Sequence, residues 1–77
     1  MLQIKILGPG CAKCNQLYLA TDEAAKALGL ECEIEKITAI GSIMEYGVMT
    51  TPALVVDGQV KVSGRVPTVD AIKAMLV

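Results

Sequence analysis

The hydrophobic period of the chain changes twice within its first forty residues, and this restricts the fold more than any other feature. From Leu2 to Leu7, the residues Leu2, Ile4 and Ile6 alternate with Gln3, Lys5 and Leu7, the two-residue period of a strand. Gly8-Pro9-Gly10 stops that run. From Cys11 onward the spacing of Cys14, Leu17, Thr21, Ala24 and Leu28 follows steps of three and four, with Ala20, Ala25 and Ala27 as good helix formers between them. Gly29 suits the left-handed position that ends such a helix. The period then returns to two, with Cys32, Ile34 and Lys36 on one side and Glu31, Glu33 and Glu35 on the other. Two strands joined through a helix predict a parallel, right-handed crossover, and three Glu on one face predict a solvated edge strand.

The remainder divides at Gly and Pro. Thr38 is expected to cap a short helix carrying Ile40, Ile43 and Met44, closed by Gly47 and weakened by Gly41 in its interior. Ala53 to Val56 reads as a short apolar strand, Asp57-Gly58 as a two-residue hairpin turn, and Gln59 to Ser63 as the returning strand. Gly64 ends it, and Thr68 caps a last helix with Val69, Ile72, Met75 and Leu76 as its buried stripe. The order βαβαββα predicts an α/β fold: a mixed four-stranded sheet with helices on both faces, formed by residues 1–77 as one domain.

Composition removes several classes of function. A chain of 77 residues buries only about 62% of its unfolded surface, a small margin, but 53% hydrophobic against 19% charged residues is incompatible with disorder. Seven basic and eight acidic residues leave no excess to neutralise phosphates, and two Tyr with no Phe or Trp give no platform for stacked bases. Nucleic acid is therefore excluded as a partner. The absence of His removes imidazole ligands and every Ser-His or Cys-His pair. Gln3 and Lys5 interrupt the N-terminal apolar run, so it is no signal peptide, and no stretch approaches the 18 apolar residues of a membrane span. The expected compartment is the cytoplasm, where the three Cys would be catalytic or metal-binding rather than structural.

The chemistry concentrates in Cys11-Ala12-Lys13-Cys14, at the junction of the first strand and first helix. Unpaired N–H groups and the helix dipole favour a thiolate at the N-terminal Cys11. Cys14, three residues on, can attack a mixed disulfide formed on Cys11, yet belongs to the inward stripe with Leu17 and Thr21. Such a CxxC inside a βαβ unit points to redox chemistry.

Together with Thr51-Pro52 before the third strand, the Asp57-Gly58 hairpin and Ser63-Gly64 before the last helix, this motif resembles the thioredoxin superfamily. The resemblance is strongest to its small archaeal and bacterial redox-active disulfide proteins, described as thioredoxin-like or glutaredoxin-like. It implies that Cys11 attacks and Cys14 resolves. It also implies that the Thr51-Pro52 bond is cis beside the two sulfurs, leaving the Thr51 backbone to pair with an extended substrate. Gly10, Met49 and Gly64 would complete the substrate-binding surface, and the apolar region around Gly8 to Gly10, Met49 and Val66 is expected to dock the partner. The implied activity is protein disulfide exchange by a monomer without cofactor, reset by a thioredoxin-reductase-type enzyme or a low-molecular thiol. The chain departs from typical thioredoxins in having Gly10 where a Trp precedes the first Cys, and Lys5 where a buried Asp lies six residues before it. Glutaredoxins place a Lys where this chain has Leu7 or Gly8.

Two other classes compete. Cys11 and Cys14 could carry a soft ion such as Cu(I) or Zn, although metal carriers of this size resemble βαββαβ and end in a strand. A non-catalytic adaptor would use the same surface without turnover. Cys32 reads as a packing residue, Tyr18 and Tyr46 as partly buried rim residues, and Met44, Met49 and Met75 as core methionines rather than a thioether site.

Overall fold

A computed structural model describes residues 2–10 and 12–77. The elements are β1 (Leu2–Leu7), α1 (Ala12–Leu28), β2 (Cys32–Ile37), α2 (Ile40–Glu45), β3 (Ala53–Val56), β4 (Gln59–Ser63) and α3 (Val69–Leu76). The sheet runs β2-β1-β3-β4, with β1 and β2 parallel and β3 antiparallel to both β1 and β4. The expected order and mixed sheet are both present, and β2 is an edge strand.

Because side chains alternate across a strand, the sheet serves two cores at once. One face presents Ile4, Ile6, Leu54, Val56 and Val62 to Leu17, Ala24 and Ala25 of α1 and to Ile72 and Leu76 of α3. The other presents Leu7, Ala53 and Val55 to Ile43 of α2, with Ile37, Tyr46 and Val48 at the margin. The all-apolar run of β3 follows from this, since each of its four residues is buried on one face or the other.

The Asp57-Gly58 turn closes the β3–β4 hairpin with positive φ at both residues, 50° and 84°, the geometry that a two-residue hairpin favours. Asp57 also ties the hairpin to the start of β1: its Oδ1 accepts from the Gln3 N–H at 2.9 Å, and its own N–H donates to the Gln3 carbonyl at 2.8 Å. Further along β4 the pairing shifts register, from Val55 opposite Val60 to Leu54 opposite Val62, so Lys61 has no opposite number.

Helix capping agrees with expectation at one end of the chain and not in the middle. The Ala71 N–H donates to the Thr68 hydroxyl at 3.2 Å, which starts α3 as expected. At α2 the cap is Ala39 and no side chain serves it, so Thr38 is not the cap. A six-residue helix with an unassisted start and Gly41 inside it depends on packing of Ile43, its buried residue, against the sheet.

Candidate functional site

β1 ends at Leu7, and the chain enters α1 at Ala12 through Gly8-Pro9-Gly10 and Cys11. The attacking cysteine expected from the motif, Cys11, lies outside the described residues. Cys14 does not: it sits in the first turn of α1, buried with 4% of its surface exposed. Its sulfur occupies the space directly over Gly8. A Cβ built on Gly8 would overlap Cys14 Sγ, would lie 3.2 Å from Cys14 Cβ, and would meet Thr51 Cβ at 3.9 Å. Gly8, Cys14 and Thr51 thus converge at the end of β1.

The Thr51–Pro52 peptide bond is cis, as the resemblance implied. Pro52 is fully buried and Thr51 exposed. The Pro52 carbonyl accepts from the Gly64 N–H at 2.8 Å, which fastens the turn after β4 to the cis loop. Gly64 adopts a φ of +79°, and a Cβ there would stand 2.7 Å from Thr50 Oγ1. The structure therefore links two of the substrate-binding residues expected from sequence, Pro52 and Gly64, by a direct hydrogen bond. Gly10 is exposed with a φ of +92° and open space around it.

Beside this assembly lies an open groove of about 390 Å³. Pro9 and Thr51 form its site-facing edge, Ile40, Ile43 and Met44 of α2 its far wall, and Val48 with Met49 its end. Met49 is 98% exposed and Met44 67%. Their spacing predicts both in the core, and their exposure corrects that; for Met49 the other expectation, a place on the docking surface, agrees with its exposure. The short α2 buries only Ile43, so Met44, its neighbour on the helix, turns outward. Met75 is partly buried against the α1 side of the sheet. Two parts of the expected docking surface also move: Gly8 is buried beneath the Cys14 sulfur, and Val66 packs against the larger core. Pro9 and Met49 of the expected surface do line the groove, whereas Ile40 and Met44, which replace Gly8 and Val66 there, carried no sequence signal beyond being apolar.

The acid that typical thioredoxins bury beneath the site has no counterpart here. Lys5 stands directly opposite Glu35 in the parallel β1–β2 ladder, and its ammonium donates to Glu35 Oε1 at 2.5 Å. That hydrogen bond holds the Lys5 pKa above its ordinary value of 10.5. On the same edge, Lys36 donates to Asn15 Oδ1 at 3.2 Å and lies over the Tyr18 ring, 4.6 Å from its centroid, joining β2 to the first turns of α1. Cys32 is half-buried against the core, remote in the fold from the Gly8 end of β1, since it pairs with Leu2 at the opposite end. Among the described residues no three His, Cys, Asp or Glu gather as a metal-binding group, and no helix is long and apolar enough to cross a membrane.

Residues 2–77 match the thioredoxin-domain family model. The chain belongs to the thioredoxin family. It is 43% identical to a thioredoxin of Methanothermobacter thermautotrophicus over 76 residues, spanning 99% of both chains. It is 40% identical to a thioredoxin of Methanocaldococcus jannaschii over 99% of this chain and 87% of that protein. A third relative, a probable thioredoxin of M. thermautotrophicus, is 34% identical over 73% of this chain and 69% of its own. Membership of the thioredoxin family brings a redox function of that general kind, and the four-stranded sheet with three helices is the fold it requires.

Proposed function

We propose that this thioredoxin-family chain is a thiol-disulfide oxidoreductase that exchanges a Cys11–Cys14 dithiol with disulfides in other proteins. The observation that carries the reading is the burial of Cys14 against Gly8, beside Thr51 of the cis loop. A resolving sulfur has to be held out of solvent yet close to the substrate-binding backbone, and this position meets both demands.

The reaction runs in two displacements. The Cys11 thiolate, favoured by its place in sequence ahead of a 17-residue helix, attacks one sulfur of the substrate disulfide. The substrate S–S bond breaks, its second sulfur leaves as a thiolate, and a Cys11–substrate disulfide forms. Cys14, having given its proton to solvent, then attacks Cys11 Sγ and releases the remaining substrate thiolate. The substrate gains two electrons and two protons, and the enzyme becomes a disulfide. An external dithiol, from a reductase or a low-molecular thiol, returns it to the dithiol.

Substrate would lie along Thr51 and Pro52, bounded by Gly10 and Gly64, with apolar side chains in the groove beside Met49. The test is an equilibrium titration against defined thiol buffers, with alkylation and peptide mapping of each cysteine. A two-electron step confined to Cys11 and Cys14 is expected, and Cys14→Ser should trap mixed disulfides on Cys11. A step that involves Cys32, or none, would remove the proposal.

A further inference from the structure

We infer that Gly8 is a positioning residue for the resolving step: it is the seat of the Cys14 sulfur, and the absence of a side chain at position 8 determines where that sulfur stands. This rests on the disulfide-exchange reading for its consequence, although the seat itself is geometric.

Gly8 is not there to supply an unusual backbone conformation. Its φ is not positive, unlike those of Gly10, Gly29, Gly47, Gly58 and Gly64, so an L residue could follow the same path. The backbone at Gly8 is also fixed, because its N–H continues the β1–β2 ladder by donating to the Ile37 carbonyl at 2.9 Å. What forbids a side chain is the sulfur. A methyl at position 8 would overlap Cys14 Sγ and press on Cys14 Cβ at 3.2 Å, while Thr51 Cβ at 3.9 Å would be in ordinary contact. With the strand end anchored, a side chain at position 8 can be accommodated only if the sulfur moves. Rotation to another staggered χ1 well moves a cysteine sulfur by about 3 Å.

Such a move matters to one step only. Attack of Cys11 on substrate does not use Cys14, so mixed-disulfide formation should be preserved. Attack of Cys14 on Cys11 needs the two sulfurs aligned, and a misplacement of about 1 Å can cost about 100-fold. On the disulfide-exchange reading the seat is the place from which Cys14 meets Cys11, so closing the bond from a displaced sulfur costs more, which disfavours the disulfide and raises the reduction potential of the pair.

The experiment is Gly8→Ala in the full chain, studied by quenched single-turnover reaction with an excess of a peptide disulfide, together with NMR scalar couplings that report Cys14 χ1. Mixed disulfide should form within about threefold of the wild-type rate and resolve about 100-fold more slowly. The pair's equilibrium constant should shift about tenfold toward the dithiol, which is about 30 mV. Cys14 χ1 should occupy a different well. Resolution at the wild-type rate, or equal slowing of both steps as general damage would produce, overturns the inference. If the wild-type protein formed no mixed disulfide, the function proposed above would fail, while the χ1 measurement would still decide the seat, since an unchanged well refutes it. If Gly8→Ala does not fold, the Gly8→Ala/Cys14→Ala pair replaces it: folding restored by removing the sulfur supports the seat, and a chain still unfolded overturns it.

Discussion

Replacing Thr21 with Val exchanges one oxygen for a methyl in the middle of α1 and leaves the side chain's shape almost unchanged. Thr21 is fully buried, in the stripe that carries Cys14 and Leu17, and its hydroxyl has no hydrogen-bond partner among the described residues. A buried hydroxyl left unsatisfied costs about 1–3 kcal/mol. Val is β-branched like Thr and has nearly the same helix propensity, so the backbone contributions cancel. Thr21→Val should therefore stabilise the protein by about 1 kcal/mol, the low end of that range. In urea, with a slope near 1 kcal/mol/M for so small a chain, the midpoint should rise by about 1 M with no change in slope. In a thermal melt Tm should rise by about 4–8 °C. Thr21→Ser is the control, since it keeps the oxygen, loses the methyl, and should destabilise. A lower midpoint for Thr21→Val would refute the reasoning, because it would mean that the hydroxyl bonds to a carbonyl of the preceding turn and that its removal leaves that helix weaker.

Three further outcomes are expected. Gly64→Ala should cost about 1–2 kcal/mol through its φ of +79°, and adding Thr50→Ala should recover only the part due to contact with Oγ1; full recovery in denaturant melts would contradict the backbone argument. Lys5 has its pKa raised by the hydrogen bond to Glu35, so the stability it contributes is present below 10.5 and lost as the pH climbs through the raised folded value. The stability gap between wild type and Lys5→Met should accordingly close in alkaline melts, and a gap independent of pH would rule this out. Met49→Glu places a charge at the end of the apolar groove and should raise KM for protein disulfides several-fold while leaving reaction with a small aromatic disulfide unchanged; unaltered protein-substrate kinetics would remove Met49 from the docking surface.

The sequence was most legible where one physical requirement acted alone. The change of period at Gly8-Pro9-Gly10, the Asp57-Gly58 turn and the Thr68 cap each reflect a local demand, and all three elements stand where the pattern put them. It was least legible around α2. There the helix is too short for a period to show which side faces the sheet, so Met44 read as core although it lies on the surface. The role of Gly8 was hidden for another reason. A Gly between a strand and a Pro reads as a terminator, and only the path of α1, which returns Cys14 over the end of β1, reveals what occupies its missing side chain.

The register shift in β4 also bears on behaviour in a crowded solution. A regular strand would hold Val60 and Val62 on one face, but here Val62 is 7% exposed and Val60 40%, with the unpaired Lys61 between them. A second molecule approaching this margin would meet a row of amide groups one residue out of step with its own and a lysine to desolvate. The irregular pairing of β4 thus works against edge-to-edge association at that margin, while the apolar groove lined by Pro9, Met44 and Met49 stays open.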